Sequence, residues 1–382
     1  MQTIGILLVR STYYKTISFD LYEGLRSGLQ QLGRSDIRIV TENIGFGAEK
    51  QQCYRGAEKL LLEENADIVI AYIGHRTAQL LRPLFLAANK MLIVLDAGAN
   101  LPQEWSSSPN VFYHSLHNAL GAWLSSKKAV NDGYTIGGMV TNYYDGGYLQ
   151  TYSLSKGFEE AGGTICFNHA TGHIKEEFSM APLKEHLNNF ENAAVLTLFS
   201  GDYMQWHFEE IKENLGNDTP IYLSPFGFEE TMLDNAIFPS NNTKGVAAWA
   251  KSIDNEENRL FIETLEATGR TPNLFSLLSW ESAQIALKAL SLLEENKNNI
   301  TKTAEALHAF EFISPRGKIT FHAKTNTSVS PMYNARIIPS ENGMCQVELD
   351  GIIDNTTEEF ETLADLELNT VTSSWFNSYT CI

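Results

Sequence analysis

The sequence predicts an α/β fold of two doubly wound, parallel-sheet lobes joined by a three-stranded hinge. Three observations point there. Apolar runs of strand length alternate with amphipathic helical stretches, the alternation begins again near the middle of the chain, and a long stretch follows the second round. Alternation of this kind marks a parallel sheet covered by helices on both faces. At 382 residues the chain also exceeds the roughly 100 to 200 residues of a single domain.

Residues 4–9 (IGILLV) form an uninterrupted apolar run, as a doubly buried strand requires. A polar loop over 10–14 leads to a helix in which Leu21, Leu25, Leu29 and Leu32 keep helical spacing until Gly33 stops it. Residues 37–41 give the next strand, 48–64 a helix, 66–74 (ADIVIAYIG) a strand, 77–89 a helix and 91–95 an apolar strand.

The pattern then repeats. LRSGLQQLG (25–33) is matched by LSKGFEEAG (154–162), each a helix closed by glycine and followed by a strand, IRIV or TICF. ENADIVIAYIGHRT (64–77) is matched by ENAAVLTLFSGDYM (191–204), with Asn65 over Asn192, and KMLIVLDAGAN (90–100) by TPIYLSPFGFE (219–229). Three elements in one order at nearly one spacing predict two similar lobes.

Beyond the second round, 245–249 reads as a strand, 256–268 and 274–293 as helices, and 318–321 with 332–338 as a late pair of strands. They are accommodated if the chain recrosses to the first lobe, with crossings near 115–117, 251–253 and 327–331. Lobe one is then 1–116 plus 252–328, and lobe two 117–251 plus 329–382. Residues 343–382 read as an acidic tail rich in Thr and Asn, with a last strand near 346–349.

Composition narrows the function. Forty-six acidic against 28 basic residues give a net charge of −18, which repels polyanions and argues against nucleic acid and anionic membrane as partners. No apolar run approaches the ~18 residues of a membrane helix. The N-terminus has neither a basic n-region nor a small-residue cleavage site, so either the protein is cytosolic or its leader has been removed. Cys53, Cys166, Cys345 and Cys381 show no metal-ligand spacing. The GxSxG, GxxxxGK[ST], HExxH and GxGxxG motifs are missing, so no enzyme activity and no cofactor are expected. His169 with His173, and His114 with His117, lack a third ligand nearby and read as hydrogen-bonded or surface histidines. Glu281, beside Trp280, reads as a structural hydrogen-bonding residue near the hinge.

In their order these segments resemble the type I periplasmic binding proteins, specifically the branched-chain amino acid and amide receptors of ABC transporters. The likeness runs over residues 4–338. It rests on IGILLV, ADIVIAYIGHRTA (66–78), GFEEAGG (157–163), SLLSWESAQIALKAL (276–290) and SPRGKITFHAKTN (314–326). The resemblance implies two lobes that close on a small, amino acid-like solute and pass it to a transporter permease. It also implies a monomer, and a periplasmic protein or extracellular lipoprotein.

In open parallel sheets, ligands sit outside the carboxyl ends of the strands, near helix N-termini. The loops concerned are 10–14, 74–77 and 96–100 in lobe one, and 142–147, 200–203 and 225–229 in lobe two. In lobe one, Tyr14, His75, Arg76, Thr77, Gly98, Ala99 and Asn100 are the candidate site residues. The resemblance assigns the ligand's acid group to the 74–77 and 98–100 loops, where N–H groups, a hydroxyl and a guanidinium converge. His75, Arg76 and Asn100 stand where small hydroxyl residues are usual, which argues against a plain aliphatic amino acid. The competing reading has Thr77 capping a helix and Arg76 solvated. In lobe two, Asp202 and Glu229 are placed to meet an ammonium group, and Tyr144, Tyr203 and Phe226 to close over the ligand. Tyr144 is a displaced substitute for the family's tyrosine, and loop carboxylates are common in a chain this acidic.

Three functional classes stand side by side: a transporter's solute-binding receptor, a cytosolic or sensory regulatory domain of the amide-sensor type, and a doubly wound enzyme, which the missing motifs disfavour. Ligand is expected to drive hinge closure. In an exported protein, Cys345 and Cys381 are the expected disulfide, since both lie beyond the resemblance.

Overall fold

The computed structural model describes residues 1–105, 108–368, 371–373 and 375–380. They fall into two compact units, Met1–Leu116, Asp254–Ser330 and Trp375–Ile382 in unit 1, and His117–Ile253 and Pro331–Ser374 in unit 2. Unit 1 opens with β1 (Thr3–Leu8), α1 (Ile17–Gln31), β2 (Arg38–Asn43), α2 (Lys50–Leu62), β3 (Ile68–Tyr72), α3 (His75–Ala88), β4 (Met91–Asp96) and β5 (Val111–Ser115). Unit 2 follows with α4 (Asn118–Asn131), β6 (Ile136–Thr141), the one-turn α5 (Tyr143–Gly146), α6 (Gln150–Glu160), β7 (Thr164–Ala170), α7 (Ala181–Leu187), β8 (Ala193–Leu198), α8 (Asp202–Glu210), β9 (Ile221–Leu223) and β10 (Thr243–Ala247). The chain returns to unit 1 as α9 (Glu256–Ala267), α10 (Leu274–Glu295), α11 (Ile300–His308), β11 (Phe312–Ser314), β12 (Gly317–His322) and β13 (Thr327–Val329). Unit 2 then receives β14 (Tyr333–Pro339), β15 (Cys345–Ile352) and α12 (Thr356–Ala364).

Each unit is built on one mostly parallel, mixed sheet. In unit 1 the strand order is β11-β12-β13-β5-β4-β3-β1-β2, and in unit 2 it is β15-β14-β10-β9-β8-β6-β7. The antiparallel pairings sit at one edge of each sheet, with β12 reversed between β11 and β13 in unit 1 and β14 reversed between β10 and β15 in unit 2. Every residue of β3 and β4 is buried, which is why both read as unbroken apolar runs.

The internal repeat has a structural counterpart at three places. Asn65 and Asn192 both adopt left-handed backbone, φ 54° and 53°, which asparagine tolerates better than most residues. Gly33 and Gly162, also at positive φ, close α1 and α6. Gly28 and Gly157 let those helices pack closely. A Cβ at Gly28 would lie 2.8 Å from the Trp280 carbonyl on α10, and one at Gly157 would lie 2.6 Å from the Trp123 carbonyl on α4.

Four expectations need correction. The strands at 318–321 and 332–338 are not partners, because β12 pairs with β11 and β13 while β14 pairs with β10 and β15 in the other sheet. Residues 343–382 are not a plain tail. They supply an edge strand, β15, and a helix, α12, fastened to α4 where Trp123 Nε1 donates to Glu359 Oε2 at 2.6 Å and Lys127 Nζ reaches Glu359 Oε1 at 2.7 Å. Not all of 329–382 joins the second lobe, since residues from Trp375 on cluster with unit 1. The chain therefore passes between units four times rather than three, and the last passage is held by hydrogen bonds described below.

Beside two of these passages, unit 1 buries a polar network. Arg316 Nη2 lies 2.9 Å from Glu281 Oε2, the same carboxylate receives His114 Nε2 at 2.8 Å, and His114 Nδ1 lies 2.8 Å from Ser328 Oγ. Burial would push Glu281 up, but the Arg316 charge and the His114 hydrogen bond outweigh it and hold Glu281 down at about 2. Burial lowers His114 against the pull of Glu281, so the ring is neutral, donating from Nε2 and accepting from Ser328 at Nδ1. Glu281 is thus a structural anion beside the ends of β5 and β13.

Cys345 is a thiol whose Sγ donates to the Ile237 carbonyl at 3.2 Å, and burial pushes its pKa up to about 12. Its expected disulfide partner, Cys381, lies outside the described residues. Among the described residues, no helix is long and apolar enough to cross a membrane.

Candidate functional site

In unit 1 the strands β4, β3 and β1 are parallel neighbours, so their carboxyl ends form one edge. Gly74 caps α3 with extended backbone, φ −79° and ψ 167°, so His75, Arg76 and Thr77 form its first turn. The His75 ring is stacked on Tyr113 at 4.4 Å and meets Trp105 edge-on at 5.4 Å, and its Nε2 lies 3.8 Å from Asp96 Oδ2. Burial pulls His75 down to about 4, leaving a neutral ring near pH 7. Burial also pushes Asp96 up to about 7, against the N–H groups of Gly98 and Ala97 and the Ser378 hydroxyl.

The other unit 1 candidates meet this chain itself. Thr77 Oγ1 donates to the Gly47 carbonyl at 3.4 Å, tying α3 to the turn after β2. Arg76 lies over the Phe376 ring, 5.3 Å from its centroid. Asn100 Nδ2 donates to the Trp375 carbonyl at 3.2 Å. Tyr14 packs on Phe275 at 4.9 Å and on Tyr379 at 6.2 Å. Gly98, at φ 71°, makes the turn that swings β4 into buried Ala99. Residues 375–380 thus lie across the edge that sequence reasoning assigned to a ligand. No local signal announced this, because six residues without strand or helix periodicity carry no sign of where they dock.

In unit 2, the edge formed by β6 and β8 carries a residue absent from the candidate list. Asn142 caps the turn of α5: its Oδ1 accepts from the Asp145 N–H at 2.8 Å and its Nδ2 donates to Asp145 Oδ2 at 2.9 Å. Ser200 Oγ donates to that same Oδ2 at 3.1 Å. Asp145 Oδ1, fully buried, makes no hydrogen bond among the described residues. Burial pushes Asp145 up to about 7, against hydrogen bonds from Asn142, from the Ser200 hydroxyl and N–H, and from the Gln150 side chain. The legible signal was Asn-x-x-Asp directly after an apolar strand, a reciprocal cap.

Glu229 behaves similarly. It follows the single-turn helix Pro225–Phe228 and accepts from the Thr231 hydroxyl and, at 3.1 Å, from the Met232 N–H, both through Oε2. Its buried Oε1 makes no hydrogen bond among the described residues, and burial pushes it up to about 7. The loop after β8 meets Asp145 through Ser200, and its Gly201 N–H points, 3.2 Å away, at Sδ of Met232, the residue whose N–H donates to Glu229.

The remaining unit 2 candidates fall into supporting places. Asp202 is exposed in the first turn of α8, where a carboxylate favours the helix N-terminus. Tyr203 is buried with its hydroxyl donating to the His173 carbonyl at 3.1 Å. Tyr144, half-buried, lies 6.4 Å from Tyr203. Phe226 is fully buried and shapes the turn that carries Glu229. His169 Nε2 lies 2.7 Å from the Ser179 carbonyl, and the described residues hold no group of three or more His, Cys, Asp or Glu suited to a metal ion.

With this geometry in view, the comparisons identify the class. A model of the periplasmic binding protein family matches residues 2–343, and the chain belongs to that family, in its type I form. Among solved structures it is similar to an ABC transporter substrate-binding protein from Sphaerobacter thermophilus, at 18% identity, TM-score 0.78, covering 92% of this chain and 97% of that one. A solute-binding protein from R. palustris in complex with benzoate aligns at 21% identity, TM-score 0.72, covering 92% and 95%. An amino acid transporter's substrate-binding protein from Pseudomonas fluorescens Pf-5 aligns at 13%, TM-score 0.70, covering 93% and 97%. No curated protein matches the chain.

Proposed function

We propose that the chain is a solute-binding receptor that captures a small ammonium-bearing solute, an amino acid or a relative of one, and presents it to the permease of an ABC transporter. It acts as a monomer outside the cytoplasmic membrane, and it makes and breaks no bond. Membership of the family supports the receptor role. One observation supports the ammonium: Asp145 and Glu229, flanking a single loop of unit 2, each bury a carboxyl oxygen that makes no hydrogen bond among the described residues. Leaving a buried acceptor unsatisfied costs about 1–3 kcal/mol, and more for a charged one, so both oxygens favour a solute that brings N–H donors. An aromatic acid such as benzoate brings none to this edge.

A thermal-shift panel of amino acids, amino amides and benzoates tests the reading. The expected outcome is a raised Tm with an amine-bearing member, about 2.7 kcal/mol of added stability at a hundredfold excess over Kd. Asp145→Asn and Glu229→Gln should each weaken binding tenfold or more while the fold persists. A shift with benzoates and none with any amine would sink the proposal.

A further inference from the structure

The unit 1 edge already has an occupant. We propose that residues 375–380 of this chain are a tethered peptide ligand of that edge, which must leave before a solute reaches it.

All three strand ends hold the segment through directed hydrogen bonds. After β1, Ser11 Oγ donates to the Tyr379 carbonyl at 2.9 Å. At the end of β3, the Tyr72 hydroxyl donates to the Ser378 carbonyl at 3.1 Å, and Asn377 Nδ2 donates to the Tyr72 carbonyl at 3.2 Å. At the end of β4, Ser378 Oγ donates to Asp96 Oδ1 at 3.5 Å. Asn377, Ser378, Tyr379 and Thr380 are all buried, though each carries polar atoms. Tyr379 sits at φ 59°, a conformation a tyrosine keeps only when its surroundings hold it.

Gly74 gives independent support. Its φ of −79° suits any residue, so the backbone does not call for glycine there. A side chain is excluded by the segment: a Cβ on Gly74 would stand 2.2 Å from the Phe376 carbonyl oxygen. Serine is the better helix cap at such a position, and it would collide with that carbonyl.

The chemistry of the occupant follows from its contacts. Residues 375–380, WFNSYT, carry no charge. They offer a hydroxyl to Asp96, an amide to the β3 carbonyl and an aromatic ring to Arg76. The edge therefore takes an uncharged peptide, bent over 376–379 and rich in side-chain donors. The segment is joined covalently to the chain through residues 365–374, so it competes with a solute intramolecularly. A solute must displace it, so apparent affinity falls by the fraction of time the edge is filled.

The test uses the full chain with a specific protease site inserted between Leu368 and Val371, cut after folding. The first arm needs no solute: a synthetic peptide of residues 371–380 should bind the cut protein after the released segment is removed. Its Asn377→Ala version should bind at least tenfold more weakly. Amide exchange at 375–380 should be protected in the intact chain and lose that protection in Gly74→Ser. The second arm rests on the solute-binding reading: an amine solute should bind about tenfold or more tightly once the segment is gone. Absence of peptide binding at millimolar concentration, or unprotected amides at 375–380 in the intact chain, overturns the docking. Equal solute affinity with the segment present and absent overturns the competition while leaving the receptor role intact. Concentration-dependent dimers joined by the segment would overturn the intramolecular assignment.

Discussion

At the scale of single residues, the buried acids divide into two kinds with opposite pH behaviour. Glu281 is held down at about 2 by Arg316 and His114 against its burial. Its contribution is present above its ordinary value of about 4.3 and is lost as pH falls through 2. Replacing Arg316 with methionine strands that anion, and urea denaturation should show a loss of about 3–5 kcal/mol at pH 7. Arg316→Met combined with Glu281→Leu should recover part of it. Asp145 and Glu229 run the other way. Both are raised to about 7 by burial, so the folded chain holds protons that the unfolded chain releases. Stability from these two is greatest below about pH 4 and declines as pH rises through 7. A bound ammonium favours the charged carboxylates, so solute affinity should strengthen from pH 6 to pH 8 with proton release, measurable by calorimetry in buffers of different ionisation enthalpy. Affinity falling over that interval would remove both acids from the solute's contacts. Glu229 was a candidate because of its loop, whereas Asp145 was passed over although Asn-x-x-Asp after β6 marked its cap. What distinguishes it, an oxygen left bare by a one-turn cap, is a fact of three dimensions.

Among the elements, what sequence shows and what it hides divide along local and distant pairing. β3 and β4 were legible because burial on both faces demands an apolar residue at every position. The repeat was legible because Asn65 and Asn192 answer the same backbone requirement. The partners of β12 and β14 were not legible, since nothing in a short strand's own pattern says which sheet receives it. The repeated glycine on the packed helix face carries its own test. Gly28→Ala or Gly157→Ala should gain about 1 kcal/mol of helix propensity yet destabilise overall by about 1–3 kcal/mol. The new methyl meets a neighbouring helix carbonyl at 2.8 or 2.6 Å. Guanidinium denaturation curves check it, and a net gain at either site would mean that the helix pair can slide apart without loss.

For the molecule as a whole, the order of the segments matters more than their shapes. Unit 2 borrows β14, β15 and α12 from chain that lies beyond the return to unit 1. Ending the chain after Ser330 should therefore expose the β10 edge, remove the Glu359 anchor of Trp123 and Lys127, and produce aggregation on a sizing column. Ending it after Leu368 should leave both sheets assembled. A truncation at 330 that stays monomeric and folded would show that unit 2 does not need its late strands.

The close seat of α1 on α10 sets a clock for synthesis. Between Gln31, where α1 ends, and Leu274, where α10 begins, the ribosome must add all of unit 2's first block. At about 5–20 residues per second this takes on the order of 12–50 s. Throughout that interval the face of α1 that α10 will cover stays open, although β1 already packs against the helix. A chain with one helix face uncovered until late in synthesis is the kind that a holding chaperone recognises.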